Sequence, residues 1–168
     1  VNLPGNTANL PLAFAISDSP EVTEPSGPGP HPLPWGTIVN GRIHKPGEKD
    51  RYKLAVKPGQ NYMVELQARE LGATRLDGVL TVLDHNGKRM QSAGDQPPAQ
   101  SAFATILAGD ISRDPFLLFT APKDSNEVTI EVDDLAGEGG PAYGYRLIAQ
   151  QQEPDFELTL LTPQINVP

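Results

Sequence analysis

The chain contains no cysteine. A disulfide framework, a thiolate nucleophile and cysteine-type zinc sites are therefore excluded. This absence does not settle the compartment, because many bacterial exported proteins also lack cysteine. Positive charge is scarce: 13 lysines and arginines face 21 aspartates and glutamates, a net charge of −8. That argues against a nucleic-acid surface, which needs a basic stripe, and against docking on anionic lipid. An acidic surface does suit solubility and calcium. No apolar run approaches the roughly 18 residues of a membrane span, so membrane insertion is not expected. No secretory signal peptide is visible. Val1 and Asn166-Val167-Pro168 carry no terminal logic, so the chain is expected to be a piece of a longer polypeptide whose targeting signal lies elsewhere. Also missing are a Gly-x-Ser-x-Gly elbow, a His-Glu-x-x-His helix and a phosphate-binding glycine loop. His31, His44 and His85 are scattered along the chain, which speaks against a zinc site or a histidine-based triad.

What is present is a rhythm of short strands. The 168 residues suffice for one domain with its own core. The 18 prolines and 16 glycines fit many strands joined by turns. The stretch Gly36–Ala68 sets the pattern. It holds three extended runs joined by two near-identical turns, Lys45-Pro46-Gly47-Glu48 and Lys57-Pro58-Gly59-Gln60. Proline presets the first central position of such a turn and glycine supplies positive φ at the second. Tyr52, Leu54 and Val56 share one face. Tyr62, Val64, Leu66 and Ala68 repeat the pattern. Period two with one apolar face marks half-buried antiparallel strands. Further strands are expected over Val79–Leu83, Lys88–Gln91, Phe116–Thr120, Val128–Val132, Tyr145–Ala149 and Phe156–Leu160, with Asn86-Gly87 as a hairpin turn. About nine or ten short strands without an amphipathic helix predict an all-β, antiparallel two-sheet β-sandwich. Residues 1–34 read as an N-terminal strand at Leu10–Ile16 followed by a proline-rich linker or strap, residues 35–150 as the sandwich, and residues 151–168 as a last strand and connector to a following domain. Residues 92–114 are ambiguous between strand, helix and loop.

Several residues, in order, match a known family. They are Asn40-Gly41-Arg42-Ile43, Pro46-Gly47 with Asp50-Arg51-Tyr52, Gly59-Gln60, Leu76-Asp77, Asp84 with Asn86-Gly87, and Thr120-Ala121-Pro122. Later come Val132-Asp133-Asp134-Leu135, Tyr145-Arg146-Leu147 and Pro154-Asp155-Phe156-Glu157-Leu158. Residues 36–150 resemble the bacterial pre-peptidase C-terminal domain, in the version carried by large exported proteins of planctomycete-like bacteria. The resemblance implies a jelly-roll-like sandwich, no catalysis of its own, and an exported setting: periplasm, cell surface or medium. It implies as partners the neighbouring domains of the same polypeptide and an extracellular protein or polysaccharide. Some relatives bind calcium. The family's acidic-Asn-Asp calcium motif is replaced here by Glu24-Pro25-Ser26-Gly27, and the tyrosine of its usual Asp-Gly turn is missing at Asp124–Val128.

The aspartates form the constellation to weigh. The hairpin through Asn86-Gly87 is expected to bring Asp77 and Asp95 to one sheet edge, and a second hairpin at Pro122–Asn126 to bring Asp114 near Asp133 and Asp134; if the two are neighbours, these carboxylates could supply the hard oxygen ligands that calcium takes. The other reading is that they bond backbone amides locally, as turn aspartates do. The lack of a contiguous EF-hand-like loop weighs toward this second reading. A hydrolase using paired aspartates is a third reading, resting on a feature common to acidic β-proteins. Among the aromatics, Tyr52, Tyr62 and Tyr145 alternate with the core set. Trp35 and Tyr143 flank strands and are the expected exposed pair for stacking on a ligand. The resemblance implies a non-catalytic accessory domain that binds protein or polysaccharide and requires no cofactor. A purely structural spacer is the alternative.

Overall fold

The computed structural model describes residues 17–27, 29–72, 74–94 and 114–151. Its strands are β1 (Glu21–Thr23), β2 (His31–Pro32), β3 (Ile38–Arg42), β4 (Asp50–Ala55), β5 (Asn61–Gln67), β6 (Gly78–Leu83), β7 (Arg89–Ala93), β8 (Phe116–Thr120), β9 (Glu127–Asp134) and β10 (Gly144–Gln151), with a 3₁₀ turn at Arg69–Leu71. The expected strands at Leu10–Ile16 and Phe156–Leu160 lie outside the described residues, as does Asp95.

The strands form two five-stranded sheets, ordered β1-β3-β10-β5-β8 and β2-β4-β9-β6-β7. Without β1 and β2 this is a jelly roll. The antiparallel pairs β3–β10, β4–β9, β5–β8 and β6–β7 are successive rungs of one long ribbon, which wraps so that its rungs alternate between the sheets. Asp84–Gly87, with Gly87 at φ +78°, is the head of the ribbon and joins β6 to β7 as a hairpin. The two Lys-Pro-Gly turns have the expected geometry, with Gly47 and Gly59 at φ +74° and +76°. They are corners, however, carrying the chain from one sheet to the other. The Pro122–Asn126 turn, expected to be a hairpin, is a corner too: β8 pairs with β5 and β9 with β4.

Corners on the two arms of the ribbon meet. Gly59 N–H donates to Ala121 C=O at 3.1 Å, and Val56 N–H to Asn126 C=O at 2.8 Å. At the other end Gly47 N–H donates to Gly137 C=O at 3.0 Å, and Gly140 N–H to Ile43 C=O at 2.8 Å. The ladder's backbone groups therefore stay paired around the bends, as buried amides require.

The inner faces follow the alternation read from the sequence. Tyr52, Leu54, Val56, Val128, Ile130 and Val132 from one sheet meet Tyr62, Val64, Leu66, Tyr145, Leu147 and Ala149 from the other, all buried. The proline-rich strap does have a pattern. Its short strands run parallel to β3 and β4, the exceptions to antiparallel pairing, and cover one edge of each sheet. Edge strands this short offer little template for further pairing.

Candidate functional site

Where the strap passes the β3–β4 corner it leaves a cleft of about 920 Å³. Its walls include Glu24, Ser26 and His31 from the strap, Asn40 and Arg42 from β3, and His44, Glu48 and Asp50 from the corner and β4. The volume lies in the range of small-ligand sites, roughly 300–1,000 Å³.

Asp50 occupies the inward phase of β4, two residues before Tyr52, and is 8% exposed. Its Oδ2 accepts a hydrogen bond from the Tyr145 hydroxyl at 2.7 Å, and that hydroxyl lies 2.7 Å from the hydroxyl of Tyr52. Burial pushes the Asp50 carboxyl up to about 7; the Tyr145 bond opposes this, and the charges of Glu24 and Glu48 add to the rise. Burial likewise drives both phenols well above their ordinary range, so they stay neutral donors. The wall above is built from backbone-anchored acids. Glu24 Oε2 accepts the Arg42 amide at 2.9 Å, and Glu48 Oε2 accepts the amides of His44 and Lys45 at 2.5 and 3.0 Å.

Alternation was enough to place Asp50 on the core face, and an acid in that phase is a signal for a buried carboxyl. Glu24 and Glu48 carry no comparable signal. Strap and corner are distant in sequence, and only the fold brings them to one cleft.

The aspartates singled out from the sequence are divided among different tasks. Asp114 is buried and caps the 3₁₀ turn: its Oδ2 accepts the amides of Ala68 and Glu70 at 2.6 and 3.1 Å, and its Oδ1 that of Arg69 at 2.9 Å. Asp134 is also buried and accepts the amides of Asp77, Ala136 and Glu138 at 2.9, 3.1 and 2.9 Å. Asp133 points to the opposite face of β9 and meets Lys49 at 2.6 Å. Asp77 pairs with Arg69 at 2.9 Å. Asp77 and Asp134 do come together, at the β6–β9 pairing, but the expected proximity of Asp114 to Asp133 and Asp134 followed from a hairpin that is a corner. Among the described residues, the carboxylates of Asp77, Asp114, Asp133 and Asp134 serve different partners and do not converge on one point. Among the described residues no three histidine, aspartate or glutamate side chains form a group that could hold a metal. Asp77, Asp114, Asp133 and Asp134 by themselves therefore do not make up such a group.

The expected exposure of Trp35 and Tyr143 is also corrected. Tyr143 is 7% exposed and its hydroxyl donates to Glu138. Trp35 is half-buried, stacked on Tyr62 at 4.5 Å and 18°, with Nε1 donating to Ala55 C=O at 2.6 Å. Its indole packs against the core instead of offering a flat face to solvent.

No protein-family model matches the chain, and no curated protein is similar to it at a significant level. Solved structures similar to the chain include the following two. One is a periplasmic lysozyme inhibitor of g-type lysozyme from Aeromonas hydrophila, 13% identical, covering 79% of this chain and 98% of its own, with a TM-score of 0.49. The other is the pre-peptidase C-terminal domain of a collagenase from Bacillus anthracis, 12% identical, covering 80% of this chain and all of its own, with a TM-score of 0.48. Both are distant, and neither carries a function across. Among the described residues no helix is long and apolar enough to cross a membrane.

Proposed function

We propose that the chain is a non-catalytic accessory domain of a larger exported bacterial protein, and that it binds protein or polysaccharide through the cleft beneath the strap. The supporting observation is the cleft itself. Its walls present hydrogen-bonding side chains from three separate elements, on a rigid two-sheet base. Convergent polar groups on such a base suit a polar ligand. Its acids are engaged within the fold: Glu24 and Glu48 hold backbone amides, and the buried Asp50 accepts the Tyr145 hydroxyl. That favours recognition over hydrolysis.

The test is a calorimetric and NMR screen of the 168-residue chain against soluble polysaccharide fragments and collagen-like peptides. Binding should perturb the amides of His31, Asn40, Arg42 and His44. Arg42→Ala with His44→Ala should weaken it by roughly tenfold or more, about 1.4 kcal/mol. Binding elsewhere on the sandwich, or none across the screen, overturns the cleft as the site; the second result leaves the domain as a spacer between its neighbours.

A further inference from the structure

The strap protects one side of the first sheet with β1, but among the described residues the opposite edge, β8, has no strand beyond it. Which backbone groups face outward there follows from the bonds at either end of β8. Leu66 N–H donates to Pro115 C=O at 3.0 Å, and Ala121 N–H to Gln60 C=O at 2.8 Å. Bonding alternates along an antiparallel pair. Leu117 and Phe119 therefore turn their amides and carbonyls to β5, while Leu118 and Thr120 turn theirs outward. Among the described residues no strand takes up these four outward groups.

This edge lacks the devices that keep an edge from pairing. Phe116–Thr120 contains no charge, proline or glycine, and its ladder with β5 runs without a bulge. β7, the corresponding edge of the second sheet, carries Arg89 and a register shift at Val82 and Leu83. The outer face beside β8 is apolar as well. Leu118 is 45% exposed, its ladder partner Met63 is half-buried, and so is Ile148 on the next strand, β10.

We propose that the β8 edge takes residues 156–160 of the same chain as an added antiparallel strand. Those residues lie outside the described ones, and the assignment rests on their sequence and on where β10 leaves off. Phe156, Leu158 and Leu160 alternate with Glu157 and Thr159. That is the period of a half-buried strand, and in the phase that bonds Leu118 and Thr120 it sets apolar side chains beside Leu118. β10 ends at Gln151, level with Tyr62 and so with Phe119. It stops at the end of the sheet where β8 also stops, which is where a strand antiparallel to β8 begins. Three strand spacings of about 4.8 Å, roughly 14 Å in all, separate β10 from that place. The steps from Gln151 to Phe156 reach roughly 17 Å when extended. Residues 1–16 precede β1 at the far edge of the sheet and are worse placed. A second copy of the chain would bring a net charge of −8 against its like. The reading concerns the edge opposite the strap and does not depend on the cleft.

Amide exchange tests it in the 168-residue chain. The Leu118 and Thr120 amides are expected to exchange roughly tenfold or more slower than in Leu158→Pro, a variant that cannot donate to the ladder. Leu117 and Phe119, bonded to β5, should be unaffected by that substitution. The absence of cysteine also allows a single nitroxide at Leu158→Cys, which should broaden amide signals of β8 and β5 and leave those of β1 sharp. Mixing nitroxide-labelled chain with nitrogen-15 chain separates the sources. Broadening confined to the labelled molecule supports the added strand. Broadening between molecules, with protection that grows with concentration, overturns it in favour of a second copy. Fast exchange at Leu118 and Thr120, or protection that survives Leu158→Pro, overturns it too.

Discussion

Tyr145 reaches Asp50 because its ladder partner, Gly41, has no side chain. A methyl group at Gly41 would fall inside the phenol ring. The Asn40-Gly41-Arg42 run thus matters for what it leaves empty, and the hydroxyl chain from Tyr52 through Tyr145 to Asp50 depends on that space. Tyr52 is 1% exposed and sits at the head of this chain. Tyr52→Ala should cost about 3–5 kcal/mol, the range for deleting a buried aromatic. Urea denaturation followed by tryptophan fluorescence measures it; a loss below about 1 kcal/mol would contradict the observed register. This position was legible in the sequence, since alternation alone assigns Tyr52, Leu54 and Val56 to the core. The hydroxyl's partner was not, since Tyr145 lies in the other arm of the ribbon.

At the scale of elements, the corners are where the fold is most exacting. Gly139 lies 2.5 Å from the carbonyl group of Lys45 as measured from an added Cβ, a backbone contact that no rotamer change relieves. Gly139→Ala should therefore destabilise more than Gly78→Ala, where the added methyl meets only the flexible end of Leu66. Thermal melts of the two variants, compared side by side, check the order. Asp114 performs for the β5–β6 corner what backbone pairing performs for the corners that meet in pairs, by accepting three consecutive amides. Asp114→Ala should cost about 2–4 kcal/mol, because it strands buried donors that a charged acceptor had satisfied. The same loss is expected in millimolar calcium and in chelator. A penalty that vanished in chelator would restore the metal reading of this carboxylate. Strands and turn residues were legible at this scale, but corner and hairpin were not distinguished. A Pro-Gly turn reverses or redirects the chain with the same local dihedrals, and the partner across the bend decides which occurs.

For the whole molecule, pH should act on stability with two opposite signs. Asp50 is pushed up to about 7 from an ordinary 3.8, so its contribution is full below about pH 4 and is lost as pH rises through 7. For Glu131 burial opposes ionisation, but the hydrogen bonds from Lys49 and Arg51 prevail and hold its carboxyl below the usual range. Its contribution is present above that range and is lost as pH falls through the lowered value. Unfolding free energy should therefore peak in mild acid and decline toward pH 8 by roughly 1–3 kcal/mol, allowing for screening by water in the cleft. In Asp50→Asn the decline should be absent; a variant that keeps it would assign the effect to another group. Composition and period-two alternation were sufficient for an all-β sandwich with this core. Both are local properties, and strand spacing and inward phase are written residue by residue. Which sheet each strand enters was decided only in three dimensions, because ladder partners such as β3 and β10 are separated by most of the chain. The fates of the acids were decided the same way. Asp114 and Asp134 became caps, Asp133 an outer-face ion pair, Glu24 an acceptor for the Arg42 amide and Asp50 a buried acceptor for the Tyr145 hydroxyl. A carboxylate's role depends on what lies within a few ångströms of it, and in a rolled ribbon those neighbours come from the opposite arm.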